Sequence, residues 1–201
     1  MPVPALFRLA GLAGLLTAVL LLLNDLRRVG LVPENAVSES IAPLPAVLAL
    51  FALTGLYLWQ RTETGVLGLV GYALNTAGVA GLLIAEFTSH YLFSGLSDAE
   101  IEDLVAGRPR AGLLGIAAIF AIGVTVFAIA CWRSGRYPRW AVALYLIGFL
   151  LAAGRSAAPD ALVSLGFLLG ATGVGGLGLT LWRGAAGSAA EPADEWATAH
   201  H

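Results

Sequence analysis

The stretch "VLGLVGYALNTAGVAGLLIAEF", residues 66–87, decides the fold class of this chain. Its first twenty residues carry no charge, and a helix of this length crosses the roughly 30 Å of hydrocarbon in a bilayer. Backbone N–H and C=O groups in lipid must be satisfied within their own segment, which selects an α-helix. We therefore interpret residues 66–87 as a membrane-spanning helix.

Five further apolar blocks of similar length accompany this one. The 201-residue chain is 58% hydrophobic and only 12% charged, so a water-soluble fold could not cover its apolar surface. The other predicted helices lie near 4–24, 44–60, 111–132, 139–155 and 161–182. The first block has no small-x-small cleavage site before Asn24, so we interpret it as a membrane helix, not a signal peptide. The sequence thus predicts an all-α, polytopic membrane domain over residues 1–183, with six transmembrane helices in one bundle.

The placement of Arg and Trp residues predicts the orientation of this bundle. Six spans put both termini on one side, and the Arg residues divide almost equally between the two sides. The turn "RSGRYPR", residues 133–139, packs three Arg on the side of the termini, and Trp59, Trp132, Trp140 and Trp182 also fall there. We expect a multi-pass protein of the cell membrane with both termini in the cytoplasm.

Two segments outside the predicted spans carry recognisable signals. In "SDAEIEDLVAG", residues 97–107, Ser97 and Glu100 form a capping box ahead of an apolar stripe, and Gly107 can end the helix. This pattern predicts a short amphipathic helix in the outer loop between the third and fourth spans. The tail, residues 184–201, is small and acidic, and we expect it to be disordered and cytoplasmic.

Three ionisable residues lie at the outer ends of the first, third and fifth predicted helices. They are Asp25, Glu86 and Arg155, and each continues a face of small residues that points at protein rather than at lipid. An ionised group at the edge of hydrocarbon is costly unless it is paired or hydrated. We therefore predict a polar binding pocket at the outer end of the bundle, with His90 one turn beyond Glu86 and the long outer loops above it.

Two further candidate binding residues lie deeper on the same helix faces. Asn75 aligns with Glu86 on the third predicted helix, and Tyr145 aligns with Arg155 on the fifth, at about 100° per residue. Hydrogen bonding between helices is the alternative role for Asn75.

The charged residues also have an interpretation without a binding site. Glu86 would then mark where the third helix leaves the membrane, and Arg155 would extend to the lipid headgroups. Asp25 would only balance its neighbours Arg27 and Arg28. The relative placement of these side chains decides between the two interpretations.

Other signals for chemistry are weaker. Glu86 and His90 have the spacing of two metal ligands, but a zinc site needs three or four ligands and only Asp25 could be the third, so a hydrogen-bonded pair is favoured. "GVGGLG", residues 173–178, matches a dinucleotide-binding pattern but follows no strand. Cys131 is the single cysteine. We predict no catalytic residue, metal or cofactor, and a net charge of −2 gives no argument for a nucleic-acid partner.

Three classes of function fit these features. The ridge Ala10–Gly14–Ala18, the six short helices with both ends inside and the long outer loops resemble the substrate-capture subunits of energy-coupling-factor vitamin importers. The resemblance implies binding or transport of a small solute, and it assigns no binding residue here. The first alternative is an integral membrane enzyme acting on a lipid or isoprenoid, with Glu86 as acid or base at a pKa raised by burial. The second is a structural or assembly subunit that contacts a membrane protein partner, or a second copy, through the small-residue faces.

Overall fold

The chain folds into helices joined by short connections. This computed structural model describes residues 3–33, 39–154 and 158–187. The helices are α1 (Val3–Arg28), α2 (Leu44–Phe87), a π-helical turn (Thr88–Leu92), α3 (Asp98–Val105), α4 (Arg108–Ser134), α5 (Arg139–Ala153) and α6 (Asp160–Gly187). The described ranges contain no β-strand, which confirms the predicted all-α class.

Four of these helices are long and apolar enough to cross a bilayer. They are α1, α2 together with its π-helical turn, α4 and α6. The fifth apolar helix, α5, has 15 residues. Large apolar side chains such as Phe51, Val66 and Ile84 are exposed on the outside of the bundle, which is typical of a surface that faces lipid. The chain therefore has the character of a membrane protein.

The break predicted between residues 60 and 66 is present, but as one non-helical residue within α2. Gly65 has φ 52° and ψ −132°, a backbone conformation that glycine adopts readily. The chain turns back beyond Gly65. The evidence is that the ring of Tyr57 stacks on the ring of Tyr72, with the ring centroids 4.7 Å apart. In a straight helix these two residues would be separated by about 22 Å. The halves of α2, residues 44–64 and 66–87, therefore pack side by side.

Glycine contacts show that neighbouring segments run antiparallel. A Cβ placed on Gly11 of α1 would lie 2.7 Å from the carbonyl oxygen of Gly178 in α6, whereas Asp25 at the other end of α1 meets Ser164. The second half of α2 pairs with α4 in the same way, because Gly71 meets Phe127 and Gly78 meets Phe120.

The same reasoning extends to the remaining pairs. Gly55 in the first half of α2 packs against Ala10, whereas Asn24 near the end of α1 donates a hydrogen bond of 2.9 Å to the Ala42 carbonyl before α2. In α5 and α6, Gly166 meets Ala152 and Gly176 meets Ala141. The start of α1, the end of α6, Gly65 and the turn 135–138 therefore lie at one end of the bundle, called here the terminal end. The end of α1, the start of α2, the π-helical turn, the end of α5 and the start of α6 lie at the opposite end, called the loop end.

Observed helix ends differ from the predicted ones by up to five residues. Helix α1 continues to Arg28 and α6 continues to Gly187, because a helix need not stop where its apolar residues stop. Helix α5 ends at Ala153, before the predicted position 155. The predicted tail begins within α6, and residues 188–201 lie outside the described part of the chain.

Candidate binding site at the loop end

Asp25 lies in the last turn of α1 and is part of a polar network. Its Oδ1 atom is 3.1 Å from Nη2 of Arg28 and accepts a hydrogen bond of 3.1 Å from the Ser164 hydroxyl of α6. Arg28 also donates to Ser164 at 2.6 Å and forms an ion pair with Asp160 at 3.0 Å. The side chain of Asp25 is 13% exposed. The network compensates the charge of Asp25 and connects the end of α1 to the start of α6.

Asn24 and Arg27 provide a second connection next to this network. Asn24 bonds the Ala42 carbonyl through Nδ2 and accepts a hydrogen bond of 3.4 Å from Arg27, whose side chain is buried. These roles of Asn24 and Ser164 were not predicted from the sequence. A polar residue directly after the first apolar block was the available signal for Asn24.

Glu86 and His90 form a pair at the end of α2. His90 Nε2 lies 3.5 Å from Glu86 Oε2, and their side chains are 30% and 29% exposed. The pair spans the junction between the α-helix and the π-helical turn, where Phe93 N–H bonds to the Thr88 carbonyl at 3.0 Å. Both side chains can therefore meet a solute while remaining fixed to a helix.

The π-helical turn is connected to the loop that precedes α2. Tyr91 donates a hydrogen bond of 2.8 Å from its hydroxyl to the Ser40 carbonyl, and its ring stacks on Phe87 at 4.8 Å. Two connections at the loop end thus meet close to the Glu86–His90 pair.

The predicted convergence of Asp25, Glu86 and Arg155 stays a prediction, because Arg155 lies outside the described residues. Asp25 has the Arg28–Ser164 network around it, and Glu86 has His90. The described contacts therefore give two polar groups at the loop end, each joined to its own neighbours.

Asn75 and Tyr145 lie together in the middle of the bundle. Asn75 donates a hydrogen bond from Nδ2 to the Tyr145 hydroxyl, and both residues are buried. At this level Gly123 of α4 meets the Asn75 backbone, and Gly173 of α6 meets the Tyr145 backbone. Eleven residues of α2 separate Asn75 from Glu86, about 16 Å along the helix. The pair connects helices in the centre of the bundle and is remote from the Glu86–His90 pair.

A second buried polar contact lies nearer the terminal end. Gln60 Nε2 lies 3.3 Å from the sulfur of Cys131, and Gln60 is fully buried. Its Oε1 atom and the Oδ1 atom of Asn75 have no hydrogen-bond partner within the described residues. Gln60 stands at the end of its apolar block and was not predicted to take part in a buried contact.

The described residues offer no metal site, and the chain matches no known protein. Within the described part of the chain, no group of three or more His, Cys, Asp or Glu side chains could hold a metal ion. No protein-family model, curated protein or solved structure gives a significant match to the chain. The proposal for function therefore rests on the geometry of the chain itself.

Proposed function

We propose that this chain is a six-span membrane protein that binds, or helps to transport, a small solute at the loop end of its bundle. The observation that carries the proposal is the Glu86–His90 pair, 3.5 Å apart and about 30% exposed, on a helix end that continues into a π-helical turn. Turns of this kind are frequent at functional sites.

The antiparallel contacts support the proposal of six spans. The reversal at Gly65 divides α2 into two passes, and α5 packs along the neighbouring α6. Helix α5 covers about 22 Å, and a span shorter than the hydrocarbon is accommodated by thinning of the bilayer or by flanking residues that extend to the interface. With α1, α4 and α6, this gives six crossings, and α3 would lie on the membrane surface at the loop end.

In the proposed orientation of the protein in the membrane, the loop end faces the outside of the cell. Trp59, Trp132, Trp140 and Trp182 belong to the terminal end, together with the Arg-rich turn 133–139. This combination favours the cytoplasmic face. A solute would then reach Glu86 and His90 from outside, below the connections at the loop end.

The pair also indicates the chemistry of the solute. The Glu86 carboxylate accepts hydrogen bonds, and neutral imidazole offers one donor and one acceptor. A small solute that carries a cationic or hydrogen-bond-donating group matches this pair.

Ligand-induced stabilisation of the detergent-purified protein tests the proposal. A solute at a hundred times its Kd adds about 2.7 kcal/mol to the free energy of unfolding and raises the thermal midpoint. We expect this rise in the wild type and in Asp103→Asn, which removes an exposed carboxylate at the same end. We expect no rise in Glu86→Gln. A solute that stabilises Glu86→Gln as much as the wild type contradicts the assignment of the pair.

A structural or assembly role is the second candidate. Close glycine contacts and hydrogen bonds between buried side chains, such as Asn75 to Tyr145, favour it. In this case the docking surfaces would lie elsewhere than on Gly11, Gly14 and Gly178, because these residues pack against each other within the bundle. The enzyme alternative ranks below both, because it needs a dry, protonated Glu86 and the Glu86 side chain is 29% exposed beside His90.

A further inference from the structure

The turn between α4 and α5 is a rigid feature of the terminal end. Helix α4 ends at Ser134, Gly135 follows with φ 68°, and α5 begins at Arg139. Tyr137 is buried and donates a hydrogen bond of 2.8 Å to the Leu56 carbonyl. Burial also raises the pKa of the Tyr137 phenol, so it remains a neutral anchor at physiological pH. The Arg side chains of the turn therefore extend from a backbone whose position is fixed.

One of the three Arg charges in this turn is compensated by a carboxylate. Arg136 donates to Glu63 through Nε at 2.8 Å and through Nη2, and its guanidinium lies 5.5 Å from the centre of the Trp59 ring. The hydrogen bond from Arg136 lowers the pKa of Glu63, so the pair is ionised at neutral pH. Glu63 stands at the reversal between the halves of α2, and the pair connects two turns of the terminal end.

Arg133 and Arg139 differ from Arg136 in having no carboxylate partner among the described residues. Both are exposed, and neither has a carboxylate within 4 Å among the described residues. The guanidinium of Arg139 lies 5.7 Å from the centre of the Trp132 ring. Trp132 and Trp140 are 47% and 54% exposed. The turn thus presents two uncompensated positive charges between two exposed indoles.

We propose that Arg133, Arg139, Trp132 and Trp140 form a binding site for the headgroup of an anionic phospholipid at the terminal end. Exposed Trp side chains concentrate at the level of lipid headgroups, which fixes the depth of the two guanidinium groups. Arg binds phosphate through two parallel hydrogen bonds, and its charge complements the phosphodiester and any further negative charge of the headgroup. Exposed apolar side chains on the two adjoining helices, such as Ile129 and Ile147, suit the acyl chains of the same molecule.

Each Arg charge of the site should contribute separately to the affinity for an anionic lipid. A basic residue near an anionic membrane surface contributes about a fivefold gain in affinity. Removal of both Arg charges should therefore weaken binding of an anionic lipid about thirtyfold, whereas binding of a neutral lipid should stay unchanged.

Native mass spectrometry of the full chain in detergent, titrated with phosphatidylglycerol and separately with phosphatidylcholine, tests the proposal. Wild type should retain phosphatidylglycerol in preference to phosphatidylcholine, and the double variant Arg133→Gln/Arg139→Gln should lose this preference. The matched control is Arg108→Gln/Arg110→Gln, which removes two exposed Arg charges at the loop end. The control should bind like the wild type.

Three outcomes would overturn the proposal. They are an unchanged preference in the double variant, an equal loss in the control, and displacement of the lipid by inorganic phosphate at equal concentration, which would indicate a site for a free anion. The single variants Arg133→Gln and Arg139→Gln, each expected to bind about fivefold more weakly, provide the same test should the double variant fail to fold.

Discussion

Substitution of Gly78 by Ala tests the pairing of helices on which the proposed six-span topology depends. A Cβ placed on Gly78 would lie 2.5 Å from Cα and 2.7 Å from Cβ of Phe120 in α4. Carbon atoms that are not bonded prefer separations of about 3.5–4.0 Å, so α2 and α4 would have to move apart by about 1 Å. Overpacking of this kind costs about 1–3 kcal/mol.

The control for this substitution is Gly115→Ala. Gly115 is also helical, but a Cβ placed there meets no atom within 4 Å. The gain in helix propensity from Gly to Ala applies to both positions, about 1 kcal/mol, and cancels in the comparison. Gly78→Ala should therefore be about 1–3 kcal/mol less stable than Gly115→Ala.

The assay is reversible unfolding of the purified protein in detergent micelles, followed by circular dichroism as denaturant is added. Both variants are measured beside the wild type under the same conditions. Equal stability of the two variants, within about 0.5 kcal/mol, would refute the close contact between α2 and α4. The antiparallel arrangement inferred from that contact would then lose its support.

Three further outcomes are expected. Tyr145→Phe removes the acceptor of the Asn75 amide, and a double-mutant cycle with Asn75→Ala should give a coupling energy of about 0.6–1.7 kcal/mol; a coupling near zero would show that the two side chains do not interact. Glu63→Gln should lower the thermal midpoint at neutral pH. Arg136 lowers the folded-state pKa of Glu63, so the stabilisation from the ion pair is fully present above the ordinary Glu pKa and is lost as pH falls through the lowered pKa. The difference in thermal midpoint between the variant and the wild type should therefore disappear in acid. A difference that does not depend on pH would exclude the ion pair as its cause. Cys131 is buried and should react with a maleimide only after unfolding in SDS, whereas rapid labelling of the folded protein would place the thiol at a surface.

Features that depend on local spacing could be predicted from the sequence. The apolar blocks give the helices and the all-α class, and the charged turn at residues 61–65 gives the break at Gly65. The Glu86–His90 pair follows from i, i+4 spacing, because residues one turn apart share a helix face whatever the rest of the fold does.

Features that depend on how two helices pack against each other could not be predicted from the sequence. The hydrogen bond from Asn75 to Tyr145 needs α2 and α5 at one rotation and one axial offset. Gly123 sets α4 against α2 and Gly173 sets α6 against α5, so the placement of α2 relative to α5 depends on several helices, and a single sequence does not say which glycine meets which helix. The hydrogen bond from Ser164 to Asp25 could not be predicted for the same reason, because it depends on the pairing of α1 with α6 at Gly11 and Gly178.

The close contacts in the centre of the bundle bear on whether binding or transport is the simpler function. At the level of Asn75 and Tyr145, Gly123 brings α4 against α2 and Gly173 brings α6 against α5, and the buried, hydrogen-bonded side chains of Asn75 and Tyr145 join the two helix pairs. No side chain fits between the backbones of either helix pair, and a solute is larger than a side-chain methyl group. Movement of a solute through this level would require the contacts to separate, at a cost in packing that binding at Glu86 does not incur. Capture at the loop end is therefore the part of the proposed function that this arrangement of helices supports directly, and any transport step needs either a rearrangement of these passes or a second protein that provides the path.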